Sequence, residues 1–373
     1  MLTPLVKYPG GKEKELKYIL PNLPSKINSY YEPFVGAGAV YFAISDLINK
    51  KYINDKSEDL IRLYYSIKNQ DHSFFQLLTK MDEIWVNIEG YVLNAIPSLW
   101  EIFNSMDKEI KNDSIFDKHI IIQGMDKSFP YSDLPVRFLC ANLKRKFNYL
   151  LKQKRNCVNI KNQDFNDIIL TAYKSSIYMQ YRYLYNISKK GQIAEGERAA
   201  LYLFLRQYAY SSMFRFSKNG DFNVPYGGKS YNNIRLETKI KYYKKSELIR
   251  TLNDTIIGNT DFEIFLNIYP PQKNDFLFID PPYDSDFSKY DNLSFDAKEQ
   301  KKLSRFLIEK TIANWMIVIK DTQLIREIYP IGQKTANNGQ IYINNFEKTY
   351  NVNFRNRNIK KTRHLMITNY EIK

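Results

Sequence analysis

The sequence predicts an α/β fold: a mostly parallel sheet with an antiparallel edge, interrupted by a mostly helical insertion. Three observations predict it. Short apolar strands alternate with helical patterns in residues 1–65 and 250–373, as parallel strands joined by crossover helices do. Between them, 66–249 has few strand-length apolar runs and long helical patterns rich in Trp, Tyr and Phe. The tail "FEKTYNVNFRNRNIKKTRHLMITNY" reads as two strands around a basic loop, an antiparallel edge.

Each element follows from its local pattern. "YYEPFVGAGAVYFAISDLI" gives a strand at 30–33, a glycine turn at 34–38 and an amphipathic helix. "KKYINDKSEDLIRLYYSI" gives a short strand ending at Asn54-Asp55. Ser57 then caps a helix whose first turn carries Glu58 and Asp59, where the helix dipole favours negative charge. In the insertion, "ALYLFLRQYAYSSMFRFS" is a helix running into an aromatic and basic segment. "KNGDFNVPYGGKSYNN" is a loop punctuated by Gly220, Pro225, Gly227 and Gly228. Beyond it, "TIIGN", "DFLFI" and "WMIVIK" are strands, with a helix "AKEQKKLSRFLIEKTI" between the last two. No internal repeat is present.

Composition narrows the function. A chain of 373 residues is long enough for two domains. It carries 30 Tyr, 23 Phe and a formal charge of +15. So many tyrosines cannot all be buried with satisfied hydroxyls, so many lie at surfaces or interfaces. A basic, aromatic-rich chain suits a nucleic-acid partner, through phosphate neutralisation and base stacking. A coding bias towards Asn, Ile, Lys and Tyr produces part of the same signal. Only two cysteines, Cys140 and Cys157, argue against a disulfide framework or a cysteine-rich metal site. His72, His119 and His364 have no ligand spacing, so no metal is expected. The start, MLTPLVKYPGGK, has no apolar signal core, and no apolar run approaches the ~20 residues that cross a bilayer. The expectation is a cytoplasmic protein with no membrane partner.

Three constellations carry chemistry. In Glu32-Pro33-Phe34-Val35-Gly36-Ala37-Gly38-Ala39, glycines between strand and helix let backbone approach a ligand closely. An ordinary strand-to-helix turn uses glycines too. Asp55 ends the next strand, where α/β folds place a carboxylate that accepts ribose hydroxyls. It also fits as an acid flanking the helix that Ser57 starts. Together they favour a nucleoside ligand, and without a following Gly-Lys-Ser/Thr that ligand is not a triphosphate. Near the N-terminus, Lys7-Tyr8-Pro9-Gly10-Gly11-Lys12 either forms a plain turn or wraps a charged ligand. In the second case Lys12 lies near a carboxylate and Tyr8 over a ring.

The third is Asp280-Pro281-Pro282-Tyr283, at the end of an apolar strand that the prolines terminate. A strand followed by a Pro-Pro turn accounts for the prolines, but not for the acid before them or the aromatic after them. The chemistry of an aromatic amine does. The lone pair of such an amine is delocalised into its ring. A carboxylate and a rigid carbonyl that accept both amine hydrogens favour the pyramidal, reactive form and stabilise developing positive charge. Asp280 and the Pro281 carbonyl suit that task, and Tyr283 suits stacking on a base swung out of a duplex.

"LVKYPGGK", "EPFVGAGAV" and "IDPPY", in that order, resemble the D12 class of DNA adenine methyltransferases, the Dam-type enzymes. The resemblance implies a Rossmann-like, S-adenosylmethionine-dependent methyltransferase fold with an inserted target-recognition domain. It implies that Tyr8 and Lys12 serve the cofactor site and that Lys7 lies near DNA. Glu32, Pro33, Phe34, Gly36 and Gly38 correspond to the methionine-binding loop. Asp55 corresponds to the ribose-binding acid, and Asp280 to a catalytic acid that also borders the cofactor. Asp261, in "IIGNTDFEIF", corresponds to a contact with the cofactor adenine. A similar "KNQDFNDII" at 161–169 is a rival, less favoured because the strand before Asp261 directly precedes the strand ending at Asp280.

Residues 206–245 resemble the segment that reads DNA. They hold nine lysines and arginines against two acids, interleaved with aromatics. Basic groups position phosphates, arginine reads guanine, and aromatics wedge or stack. By position Arg215 matches a base-reading arginine and Tyr210 a tyrosine that wedges into the target. "FNVPYG" adds Asn223 and Tyr226 as DNA contacts. A helix core face is the competing account of the aromatics. Two departures stand out. The family's Tyr-Asn-Gly is Tyr210-Ser211-Ser212 here, and the insertion is longer than in a minimal enzyme. Both put a GATC target in doubt.

The expected function is therefore site-specific methylation of the 6-amino group of adenine in double-stranded DNA, by base flipping, without metal. The expected partners are DNA and, functionally, a cognate restriction endonuclease, and the expected state is a monomer. Neither cysteine has the proline-flanked setting that carbon-5 methylation of cytosine needs. The alternatives are amino-methylation of cytosine or RNA, and an inactive DNA-binding protein of the same fold.

Overall fold

The computed structural model describes residues 2–8, 10–111, 116, 133–188, 191, 193–282, 295–350 and 360–372. The chain divides into two compact units, Met1–Lys68 with Lys245–Lys373, and Asn69–Lys244. Among the described residues no helix is long and apolar enough to cross a membrane, and no cluster of three His, Cys, Asp or Glu could hold a metal ion.

Seven strands build the first unit: β1 (Ser29–Glu32), β2 (Lys50–Asn54), β3 (Thr255–Gly258), β4 (Phe276–Ile279), β5 (Asn314–Lys320), β6 (Tyr342–Tyr350) and β7 (Lys360–Thr368). They form one sheet in the order β3-β2-β1-β4-β5-β7-β6. The first five run parallel, and β7 and β6 add an antiparallel edge. β1 and β4 are buried at every residue. A strand covered on both faces has no solvent side to alternate with, so Phe276–Ile279 is a continuous apolar run. One face packs Leu277, Ile279, Trp315, Ile317 and Leu365 against Leu303 and Leu307 of the crossover segment.

The chain leaves β1 towards β2 on one side, and β4 pairs with β1 on the other. This is the switch point of strand order, where an open parallel sheet leaves a crevice outside its carboxyl ends. Glu32 ends β1 there, and Asp280 follows β4.

Two elements differ from the sequence reading. The helix expected through 297–312 is α-helical only from Ala297 to Arg305, followed by a π turn at Phe306–Lys310. The Thr311 N–H reaches back to the Phe306 carbonyl at 3.2 Å, and the Leu307 carbonyl accepts the Trp315 indole N–H at 2.8 Å. The wider turn buries three consecutive apolar side chains, Phe306, Leu307 and Ile308, and frees a carbonyl for the indole. β6 also starts at Tyr342, before the quoted tail. The basic loop after it lies outside the described residues.

The second unit is built on the helices His72–Asn104, Asp133–Arg155, Asn162–Ser188 and Glu195–Tyr208. Aromatic residues fill it: Phe165 packs on Trp100 and Phe103 with ring centroids 4.7 and 5.6 Å apart, and Trp85 packs on Tyr208 at 4.3 Å. A buried polar hub sits beside Trp85. The Asn232 carbonyl accepts from Lys174 Nζ at 2.6 Å and from Trp85 Nε1 at 3.3 Å. Its Oδ1 accepts the Tyr226 hydroxyl at 2.8 Å, and its Nδ2 donates to Thr171 Oγ1 at 3.1 Å. Lys174 is fully buried and also meets Glu89 at 2.7 Å. Burial lowers the Lys174 pKa, and Glu89 opposes the shift.

Buried polar groups are costly when they lose partners. Asn232→Ala deletes both side-chain bonds and takes the acceptor from the Tyr226 hydroxyl, while Thr171 still donates to the Asp167 carbonyl at 2.7 Å. We expect a loss of about 1–3 kcal/mol, read as a lower urea midpoint with unchanged slope.

Candidate active site

The ends of β1 and β4 bring charged groups together. Lys12 is almost completely buried and pairs through Nζ with Asp280 Oδ1, while also donating to the Gly10 carbonyl at 3.0 Å. Glu32 is buried and accepts the Tyr30 hydroxyl at 2.7 Å. Burial pushes its carboxyl well above the usual carboxylate range. The Tyr30 hydrogen bond opposes this, and the neighbouring Asp280 charge adds to it. The Gly-Gly segment thus delivers one lysine to a site with two carboxylates.

The loops behind these strands are stitched by side chains. Asp55 Oδ2 accepts the Gly36 N–H at 3.0 Å and Oδ1 accepts the Ser57 N–H at 2.8 Å. Asp55 therefore joins the glycine loop to the next helix start, in keeping with its helix-flanking reading. Asn54, which sequence reasoning noted only as a strand end, is the central clamp. Its Nδ2 donates to the Pro33 and Thr260 carbonyls at 3.1 and 3.0 Å, and its Oδ1 accepts the Thr260 N–H at 3.0 Å. A buried amide with all these bonds locks the turns after β1, β2 and β3 to each other. The only signal for it in the sequence is an amide closing a short strand.

Two glycines in the loop are required by conformation and space. Gly38 has φ +82°, and a Cβ there would lie 2.7 Å from Tyr64 Oη and 2.8 Å from the Phe42 ring. Gly36 has φ +50°, and its Cβ would press on the Tyr8 ring at 3.3 Å. Tyr64 in turn donates to the Gly36 carbonyl at 3.1 Å. Tyr8 is thereby placed against the glycine loop, and Lys7 next to it is exposed.

Phe34 meets Phe262 and Phe295 at 5.5 and 5.4 Å. Beside them Asp261 caps the helix Phe262–Ile268, accepting the Glu263 N–H at 3.1 Å. Lys302 Nζ lies 3.5 Å from Asp261 and 2.9 Å from Glu263. The rival Asp164-Phe165 is in the other unit, where Phe165 is fully buried in the aromatic core.

Pro281 is buried and Pro282 exposed, and Tyr283 lies outside the described residues. Gln300, which sequence reasoning missed, is fully buried and donates from Nε2 to the Pro282 carbonyl at 3.1 Å. Its setting among lysines on the crossover helix carries no mark of burial.

The remaining candidates belong to the second unit. Ala209 bridges to Tyr226 and Phe216 to Phe222, making a short hairpin. Tyr210 is 45% exposed. Arg215 Nε donates to Asn223 Oδ1 at 2.9 Å. Tyr226 is turned inward: its hydroxyl bonds Asn232, its ring lies 5.7 Å from that of Trp85, and burial raises its pKa. Ser211 and Ser212 both adopt left-handed backbone, at φ +52° and +50°.

A family model described as the D12 class N6 adenine-specific DNA methyltransferase matches residues 8–179 and 147–342. The chain belongs to this family. It is an adenine-specific DNA methyltransferase. It is 25% identical over 373 residues to the Type II methyltransferase M.CviBI of Paramecium bursaria Chlorella virus NC1A, covering 99% of this chain and 100% of that protein. It is 26% identical over 317 residues to the Type II methyltransferase M.MjaIII of Methanocaldococcus jannaschii, covering 82% and 79%. It is 20% identical over 337 residues to a DNA adenine methylase of Haemophilus influenzae, covering 87% and 82%.

Two outcomes follow for the methyltransferase. Glu32 has a folded pKa above its unfolded one, so the folded state holds its proton longer. Its contribution to stability falls as pH rises from the unfolded value near 4.5 towards the raised one. Glu32→Gln should therefore gain in melting temperature relative to wild type as pH rises above the usual carboxylate range. Gln300→Leu removes the donor on the Pro282 carbonyl. Single-turnover methylation should slow about tenfold or more, with S-adenosylhomocysteine binding by calorimetry unchanged.

Proposed function

We propose that this methyltransferase transfers the methyl group of S-adenosylmethionine to the 6-amino group of adenine in a short double-stranded DNA motif, with the target base flipped from the helix. The observation that carries the reading is the meeting of Glu32, Asp280 and Lys12 at the β1/β4 switch point. There the Asp280–Lys12 ion pair stands beside buried Glu32, a polar donor set that suits a charged ligand. Gly38 holds backbone where a Cβ would not fit, Gly36 packs its left-handed backbone on Tyr8, and the Phe34 and Phe262 rings beside Asp261 suit a purine. Tyr8, Lys12, Glu32, Pro33, Phe34, Gly36, Gly38, Asp55, Asp261 and Asp280 would hold the methyl donor. When bound, it supplies an electrophilic methyl group on a sulfonium.

The chain's own part is positioning and electrostatics. Asp280 and the Pro281 carbonyl accept the hydrogens of the target amine, which turns its lone pair out of the ring plane. The Gln300 bond to the next carbonyl holds that turn in place, and Tyr283 stacks on the base. Lys12 is the ion-pair partner of Asp280 when no base is present. Lys7, Tyr210 and Arg215 supply DNA contacts, with Asn223 and Tyr226 in the same hairpin. Chemistry at one flipped base requires no second subunit, and a monomer suffices. The Type II names of two relatives support a paired restriction endonuclease alongside the DNA, and the proposed setting is cytoplasmic.

The test is single-molecule sequencing of DNA from a methylation-free host expressing the protein, beside an Asp280→Ala control. Methyladenine in one short motif, absent from the control, is expected. No modified base, with S-adenosylhomocysteine binding intact, would overturn DNA as the substrate; methyl-cytosine would overturn adenine as the target.

A further inference from the structure

We infer that Asn223 sets sequence specificity by orienting Arg215. This rests on the reading of Arg215 as a base-reading residue.

The hairpin that carries both residues is held on one side by a helix. Asn186 accepts the Phe222 N–H at 2.8 Å and donates to the Phe222 carbonyl at 3.1 Å. The Tyr178 hydroxyl and Arg182 Nη1 both donate to the Val224 carbonyl, at 2.9 and 3.2 Å. Tyr178, Arg182 and Asn186 are spaced four residues apart on the helix Asn162–Ser188, so they share one face. That face bonds the strand much as a neighbouring strand would. The turn is closed by the Ser217 N–H on the Asp221 carbonyl at 2.7 Å.

Asn223 lies between the two pinned residues. Its own N–H donates to the Arg215 carbonyl at 3.1 Å, and its Oδ1 takes the Arg215 Nε–H at 2.9 Å. A guanidinium has two edges able to make paired hydrogen bonds, Nε with one terminal nitrogen, or the two terminal nitrogens together. Asn223 occupies the first. Among the described residues neither terminal nitrogen of Arg215 has a hydrogen bond or ion pair. What remains is a tethered fork that matches O6 and N7 of guanine. An arginine without the tether spreads over many rotamers and reads the same edge less selectively. The Asn223 Oδ1 is spent on this bond, and a carbonyl oxygen cannot bind a phosphate. A phosphate contact through Nδ2 is the rival role.

The experiment uses the full-length enzyme and duplexes carrying the motif mapped by sequencing, with each guanine replaced in turn. Single-turnover methylation and binding at several salt concentrations are measured for wild type, Arg215→Ala, Asn223→Ala, Asn223→Asp and the double alanine variant. Arg215→Ala should lose about tenfold or more in discrimination at one guanine. Asn223→Ala should lose discrimination at that same guanine, by about fivefold or more, and the double variant should be no worse than Arg215→Ala. Asn223→Asp keeps the acceptor and should keep discrimination. If Asn223→Ala melts early, Asn223→Gln, which displaces the acceptor by one methylene, should show the same loss. If Asn223→Ala instead weakens binding to every duplex alike, flattens the salt dependence and leaves discrimination intact, the residue is a phosphate contact and the inference falls. If Arg215→Ala relaxes one guanine and Asn223→Ala none, the inference falls alone. If Arg215→Ala relaxes none, the reading of Arg215 falls with it.

Discussion

The pairing of β1 with β4 is the constraint from which the catalytic end of the sheet follows. Tyr30 lies opposite Phe276 and Tyr31 opposite Leu277, so the strands run out together at Glu32 and just before Asp280. Two carboxylates at neighbouring strand ends repel, and burial makes the charged form of each more costly. The fold answers with two different devices. Asp280 keeps a formal partner, Lys12. Glu32 receives a neutral donor, Tyr30, and its raised pKa shows that this is not full compensation. The strand ends thus carry one ion pair and one carboxyl held towards its neutral form, before any ligand arrives.

That arrangement is useful only if the backbone around it stays fixed. Loops at strand ends have no ladder to hold their peptide groups, and buried ones must find other partners. Asn54 meets this need for three loops at once, and Asp55 does the same for the glycine loop and the following helix. The glycines then complete the enclosure, since Tyr64 and Phe42 fill the space that any Cβ at Gly38 would need. Rigidity here comes from side chains bonding to backbone, so a change at Asn54 would be felt after β1, β2 and β3 together.

Much of this was legible in the sequence, and for a physical reason. A parallel sheet needs buried strands, crossover helices and polar residues at strand ends, and each leaves a local mark: continuous apolar runs, amphipathic periods, and acids beside glycine or proline. The antiparallel edge was legible from two strands flanking a basic loop. What stayed hidden depends on distant partners. Asp261 and Asp164 sit in nearly the same local text, yet Phe262 packs on Phe34 while Phe165 fills a helical core. Gln300 among lysines carries no mark of burial, and only the tertiary fold turns it to Pro282. The helix end at Arg305 was missed because a π turn continues the same apolar pattern, and the indole that takes up its freed carbonyl is eight residues on.

The hairpin in the second unit shows the same division between backbone and side chain. Left-handed residues are cheap as glycine or asparagine and cost roughly 1–2 kcal/mol each otherwise. Where the family has Tyr-Asn-Gly, this chain has Tyr210-Ser211-Ser212, and both serines adopt that backbone. The conformation persists because neighbours enforce it. The Tyr231 hydroxyl accepts the Ser211 N–H at 3.0 Å, the Ser212 N–H reaches the Ala209 carbonyl at 3.0 Å, and Gly227 makes room for the Tyr231 ring, which lies 2.3 Å from where its Cβ would be. The chain therefore carries backbone strain to keep the turn between Tyr210 and Arg215.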